Sequence, residues 1–176
     1  MKTVRFNDIA SISAGKNRSR MSADELEHLY TIEDMDHALV SGKEENIDTV
    51  MMHVLTLKAA PLLETDKIKA VQANYLRCEL NDSDVIDPWY LIFQLNEGSY
   101  IRKEIDKLKQ GTEALIKKIN ISDVSLLDIP YVPIEHQRKI GKLYRDGVRY
   151  QYLLKHQADL THEALMKILE DIVNDK

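Results

Sequence analysis

A single cysteine, Cys78, stands in a chain of 176 residues. It has no intramolecular partner, so a disulfide framework is excluded, and its apolar surroundings point to a buried thiol. Apolar runs are short, and none approaches the ~20 residues needed to cross a bilayer. The start, MKTVRFNDIA, lacks the apolar stretch of a secretion signal, so the expectation is a cytoplasmic protein with no membrane partner.

Several chemistries lack their residues. No lysine has an acidic residue two positions before it, which removes the carboxylate-x-Lys arrangement of many magnesium nucleases. The six glycines are too scattered for a dinucleotide or phosphate loop. Asn-Pro-Pro is absent, so an extruded adenine would have no catalytic seat. His28, His37, His53, His136, His156 and His162 show neither the i, i+4 zinc spacing nor a nearby cysteine ligand. Asp24, Asp34, Asp36 and Asp48 lack the glycine and the alternation of a calcium loop. There is no Gly-x-Ser-x-Gly turn. These absences predict a non-catalytic protein with no metal and no cofactor, and leave a site assembled by folding as the remaining route to catalysis.

What is present is one domain's worth of core plus an appendage: 44% of residues are hydrophobic and 30% charged, in a length too short for two full domains. The net charge of −5 argues against a nucleic-acid partner, but the charges are segregated. Met1 to Arg20 carries five cations against one anion, Met21 to Val50 one against nine, Ile101 to Lys118 six against three, and Ile134 to Lys155 six against two. Such a chain can turn a basic face to phosphates despite an acidic total. An ordinary solvated surface is the competing reading.

Phe6, Ile9 and Ile12 predict a short helix or irregular segment on the core, followed by a loop in which Lys16, Asn17, Arg18 and Arg20 come after Gly15. Arginine and asparagine can contact base edges bidentately, so this loop is a candidate for DNA contact, with a solvated loop as the alternative. Ser22 to Glu25 has the spacing of a capping box, and Thr31 with Asp34 repeats it. Thr49 to Leu57 and Gln72 to Leu80 read as strands, with Pro61 breaking regular structure between them. His53 reads as a packed or edge histidine, and Lys58, at the strand's end, as a ligand contact.

Asp87 and Pro88 predict a helix start, with Trp89, Leu91, Ile92 and Leu95 inward. After Ser99 a second helix should place Ile101, Ile105 and Leu108 inward and Arg102, Lys103, Lys107 and Lys109 outward, ending at Gly111. Lys109 then leads into Gln110, Gly111 and Thr112, where a backbone can approach a phosphate. Leu115 to Ile119 is short and apolar, Ser122 should cap a brief helix, and Ile129 to Val132 reads as an extended edge. From Ile134 a long charged helix follows, with Ile140, Leu143, Val148 and Leu154 in an imperfect three-four alternation suited to coiled-coil pairing. Gly141 and Gly147 suggest close packing there. Asp159 to Thr161 could break or recap this helix before a stripe from Leu165 through Ile168 and Ile172, which is too short to bury itself and implies a partner helix, either from the core or from a second copy.

The predicted class is α/β in the α+β sense: a globular domain over 1–132 with a small mixed sheet and packed helices, then a long helix over 133–176. In the run from Asp87 to Tyr144, the elements DPWYLIFQLN, Gln-Gly-Thr, ISDVSLLDIP, Pro133, Gln137 and Ile140-Gly141 follow in that order. This run resembles the end of a target recognition domain and the start of a spacer helix in specificity subunits of type I restriction-modification systems. ISAGKNRSR and TLKAA are similar to earlier blocks of that family. The resemblance implies sequence-specific binding of double-stranded DNA by a subunit that is not itself an enzyme. It also implies partners: a methyltransferase subunit and a restriction and translocase subunit.

By that resemblance Lys16, Asn17, Arg18, Arg20, Lys58, Lys109, Gln110 and Thr112 are the expected DNA contacts. Ile140, Leu143, Val148, Leu154 and Leu165 are the expected helix-pairing residues. A full specificity subunit of that family carries two recognition domains and two spacer helices, and here there is one of each. The chain is therefore expected either as a half-subunit that pairs with itself through the C-terminal helix, or as a solitary interaction or regulatory module with weak DNA affinity.

Overall fold

Residues 3–14 hold two strands around one helical turn: β1 (Thr3–Arg5), α1 (Phe6–Ile9) and β2 (Ala10–Ala14). Phe6 and Ile9 are buried, as their spacing predicted, while Ile12 lies on a strand that the spacing did not reveal. The computed structural model describes residues 2–41, 47–109 and 121–174.

Two antiparallel sheets organise the domain. β1 pairs with β6 (Asp128–Pro130), and β2 joins β3 (Thr49–His53), β4 (Lys58–Pro61) and β5 (Tyr75–Leu80) in the order β2-β5-β3-β4. Pairing within these strands is antiparallel throughout; parallel bridges occur outside them, between Lys16 and Gln72 and between Leu29 and Ala70.

The strand expected over Thr49 to Leu57 stops at His53. Leu57 takes a left-handed φ of 58° and donates its N–H to the His53 carbonyl at 2.8 Å, so the chain reverses. It returns as β4, and Pro61, expected as a breaker, pairs opposite Val50. The missing N–H is tolerated because β4 is the edge strand. Asn96 covers that edge: its side chain accepts from Ala59 N at 2.7 Å and donates to Ala59 O at 2.9 Å, closing polar groups that would otherwise invite another strand.

The helices follow their start signals. In α2 (Ala23–Glu27) Ser22 and Glu25 form both bonds of a capping box. Thr31 and Asp34 make the same exchange at the start of α3 (Ile32–Ser41). Asp87 caps α4 (Pro88–Glu97), accepting from Tyr90 N at 2.8 Å. Ile101 and Ile105 of α5 (Ser99–Lys109) are buried and Arg102, Lys103 and Lys107 exposed, as predicted.

Two expectations fail. Ser122 lies inside α6 (Ile121–Ser125) rather than capping it, and its carbonyl accepts from the Ser125 hydroxyl at 2.9 Å. Asp159 to Thr161 does not interrupt α7 (Ile134–Asn174), because the Thr161 hydroxyl donates to the Gln157 carbonyl at 2.8 Å and is satisfied within the helix. At 41 residues α7 is about 60 Å long.

The core joins Trp89, Leu91, Ile92 and Leu95 of α4 to Val50, Met51 and Met52 of β3. Tyr90 reaches across it and donates its hydroxyl to the Pro130 carbonyl at 2.9 Å, tying α4 to β6. Cys78 is buried in this core, and burial pushes its thiol up to about 12.

Candidate nucleic-acid interface and helix seam

The loop after β2 is shaped by a close crossing. Lys16 N donates to Val71 O at 2.8 Å and Ala73 N donates to Lys16 O at 2.9 Å. A Cβ on Gly15 would stand 2.2 Å from Val71 O, so glycine is required for this approach. The chain then makes a short 3-10 turn over Arg18–Arg20, with Asn17, Arg18 and Arg20 all exposed.

The expected contact residues divide by what they already hold. The Lys16 ammonium bonds Glu25 at 2.6 Å. That bond, followed by the capping bond from Ser22, holds the Glu25 carboxyl below its usual range. Lys58 is paired with Asp36 of α3. Two further lysines nearby are likewise engaged, Lys67 with Asp48 and Glu64, and Lys69 with Asp34 and Asp66. At Asp34 burial opposes ionisation, but the Lys69 hydrogen bond and the Thr31 backbone bond outweigh it and lower the carboxyl's pKa. Arg18 and Arg20 have no side-chain partner among the described residues. Lys109 closes α5; its side chain, Gln110, Gly111, Thr112 and the segment Leu115 to Ile119 lie outside the described residues.

A third unpaired guanidinium was not singled out from the sequence. Arg77 lies on β5 with Ser13 of β2 on one side and Met51 of β3 on the other, close to where the Gly15 loop leaves the sheet. The signal was available: the apolar set Leu76, Cys78 and Leu80 faces one way, which turns Tyr75, Arg77 and Glu79 to the other.

His53 is structural, as its sequence context suggested. It packs on the Tyr75 ring at 4.8 Å; Asn74 Nδ2 donates to Nε2, and Nδ1–H donates to the Thr56 hydroxyl at 2.8 Å. Burial lowers its pKa and favours this neutral form. Among the described residues, no group of three or more His, Cys, Asp or Glu is placed to hold a metal ion, and no helix is long and apolar enough to cross a membrane.

The root of α7 is locked to the domain by two residues one turn apart. Gln137 is fully buried; it accepts from Asp87 N at 3.0 Å and donates to Val132 O at 2.8 Å and to Val85 O at 3.2 Å. Gly141 lies against the start of α4, where an added Cβ would fall 2.3 Å from Asp87 Oδ1. Of the expected pairing residues, Ile140 and Val148 are half-buried and pack with Tyr144 against the chain's own core. Within this chain their helix partners are α3 and α4, onto which the first turns of α7 dock. At Gly147, by contrast, no atom of the described residues lies within 4 Å of where its Cβ would be.

Beyond Val148 the helix changes character. Every described residue from Arg149 to Asn174 is exposed, including Leu154, Leu165, Ile168 and Ile172. Leu143 is exposed as well, at 74%. Along the positions 147, 151, 154, 158, 161, 165, 168 and 172, which alternate steps of four and three, Leu154, Ala158, Leu165, Ile168 and Ile172 are apolar and Gly147, Gln151 and Thr161 interrupt them, an imperfect two-helix repeat.

No protein-family model matches the sequence, and no curated protein matches it. Solved structures do. The S subunit of a type I restriction-modification system from M. genitalium superposes with a TM-score of 0.54 at 14% identity, over 94% of this chain and 43% of that one. The HsdS subunit from Thermoanaerobacter tengcongensis gives a TM-score of 0.56 at 18% identity, over 99% of this chain and 44% of that one. The chain thus spans less than half the length of either. At this identity the likeness establishes fold, and it agrees with the resemblance drawn from the motifs between Asp87 and Tyr144: the chain has the fold found in somewhat under half of a type I restriction-modification S subunit.

Proposed function

We propose that this chain is a non-catalytic specificity component of a type I restriction-modification system, acting on double-stranded DNA in the cytoplasm. The domain over 1–132 reads one part of a split sequence. The helix over 133–176 pairs with the helix of a second copy and docks the methyltransferase and the restriction and translocase subunits. The observation that carries this reading is α7 itself. Its root is fixed by Gln137 and Gly141, and its remainder presents an unburied three-four seam through Leu154, Leu165 and Ile172. Isolated helices with that pattern are stabilised by burying it against another helix. A two-fold pair of such chains would read an interrupted palindrome.

A second reading has its own support. Lys16, Lys58, Lys67 and Lys69 are all neutralised by carboxylates, which reduces the cations left for phosphate and favours an interaction module with weak, non-specific DNA binding.

The test is a selection of the purified chain, alone and with candidate methyltransferase subunits, from a random duplex library. Enrichment of an interrupted palindrome is the expected result. A single short motif would mean one recognition domain acting without its copy. Absence of enrichment in both conditions, with a protein partner still captured by α7, would favour the interaction module.

A further inference from the structure

The four-stranded sheet has one face that is only half covered. On that face the register aligns Ser11 with Glu79 and Ser13 with Arg77, and continues to Thr49 and Met51 of β3. Thr49 and Met51 are buried, but Ser11, Ser13 and Glu79 are exposed and Arg77 is half-exposed. Arg77 and Glu79 form the wall shared by two hollows, of about 290 Å³ toward Lys16 and Lys69 and about 430 Å³ toward Lys67. Neither side chain has a hydrogen-bond or ion-pair partner among the described residues, although every lysine around them has one.

We propose that this open half of the sheet, and Arg77 with Glu79 in particular, is a base-reading surface that sets DNA sequence preference. The inference rests on the DNA-binding reading above and deepens it. A cation alone would be equally suited to phosphate; the carboxylate is what separates the two uses. Glu79 repels phosphate oxygens, yet it can accept from the amino group of cytosine or adenine, while a neighbouring guanidinium bonds the O6 and N7 edge of guanine. Two residues along a strand lie about 6.8 Å apart, close to two base-pair rises of about 3.4 Å. Ser11 and Ser13 add hydroxyls that donate or accept beside them. The division of labour is then spatial: Arg18 and Arg20, on the loop that leaves the same sheet, contact phosphate and position the chain, and Arg77 with Glu79 discriminate.

The experiment compares wild type, Arg77→Ala, Glu79→Gln and Arg18→Ala on a duplex selected by the wild-type chain and on a scrambled duplex, over a series of salt concentrations. Thermal melting first confirms that each variant is folded. Arg77→Ala should weaken binding to the selected duplex roughly 5- to 150-fold, leave the scrambled duplex and the salt slope nearly unchanged, and relax one position in a repeated selection. Glu79→Gln should relax a second position, about two base pairs away. Arg18→Ala should weaken both duplexes alike and flatten the salt slope. Equal loss on both duplexes for Arg77→Ala, or wild-type binding by both sheet variants, overturns the assignment. Failure of the wild-type chain to enrich any sequence overturns the DNA reading beneath it, and is seen before any variant is measured.

Discussion

Replacing Gly141 with alanine should loosen the root of α7 and cost about 3 kcal/mol. The added Cβ would lie 2.3 Å from Asp87 Oδ1, 2.8 Å from Tyr90 N and 2.9 Å from Trp89 Cβ. None of these can yield cheaply, because Asp87 is held as the cap of α4 by Tyr90 N and the other two belong to the first turn of that helix. The helix must therefore back away, at an overpacking cost of about 1–3 kcal/mol. One turn earlier, Gln137 would be drawn off its three partners, and leaving a buried polar group unpaired costs a further ~1–3 kcal/mol. Alanine's better helix propensity returns about 1 kcal/mol. For a chain of this size the net loss corresponds to a fall in Tm of roughly 6–12 °C. Trp89 is the sole tryptophan and sits at the junction, so its fluorescence in a urea titration reports the change directly. Gly147→Ala, six residues along the same helix, meets none of the described residues within 4 Å and should instead leave the domain's stability unchanged or raise it. Equal stability of the two variants would refute the reasoning.

Other measurements probe separate features. Burial holds Asp87 above the usual carboxylate range, against the opposing backbone bonds and the charges of Arg138 and Arg145. Its stability contribution is therefore complete below the unfolded value near ~3.9 and lost as pH rises through the raised one. Asp87→Asn, which keeps the cap, should gain stability over wild type at pH 7 and lose that advantage by about pH 4 in paired urea titrations, whereas Asp87→Ala should cost ~1 kcal/mol. Leu154→Asp and Leu165→Asp alter exposed positions, so the domain's own stability should change by less than ~0.5 kcal/mol, while sedimentation shows loss of any helix-paired dimer. Cys78 should resist an aromatic disulfide reagent at neutral pH and react on unfolding; rapid labelling of the native chain would contradict its burial.

Local chemistry made much of this fold legible. The two capping boxes, Asp87-Pro88 and the start of α7 after Pro133 each satisfy backbone groups within a few residues, so sequence alone locates them. The return at Leu57 was not legible, because a leucine with φ of 58° carries no turn signature and the outer edge of β4 is closed by Asn96, distant in sequence. The same limit governs the site. Spacing identified Lys16, Arg18 and Arg20 as a basic cluster, but whether a cation is free depends on carboxylates such as Glu25 and Asp36 brought in by other elements. Ile140 and Val148 show the same limit: spacing marks them for helix pairing, and only the docking of α7 on α3 and α4 shows which helices they meet within the chain.

The pairing of β1 with β6 also orders events during synthesis. Thr3 waits for Pro130 and Val4 for Ile129, so the smaller sheet cannot close until most of the domain has left the ribosome. Such distant pairings slow folding, because the intervening chain must be confined before the strands repay it. Gln137 and Gly141 emerge next and seal the closed domain against α4. The exposed stretch of α7 leaves the ribosome only after every strand and helix that builds the core.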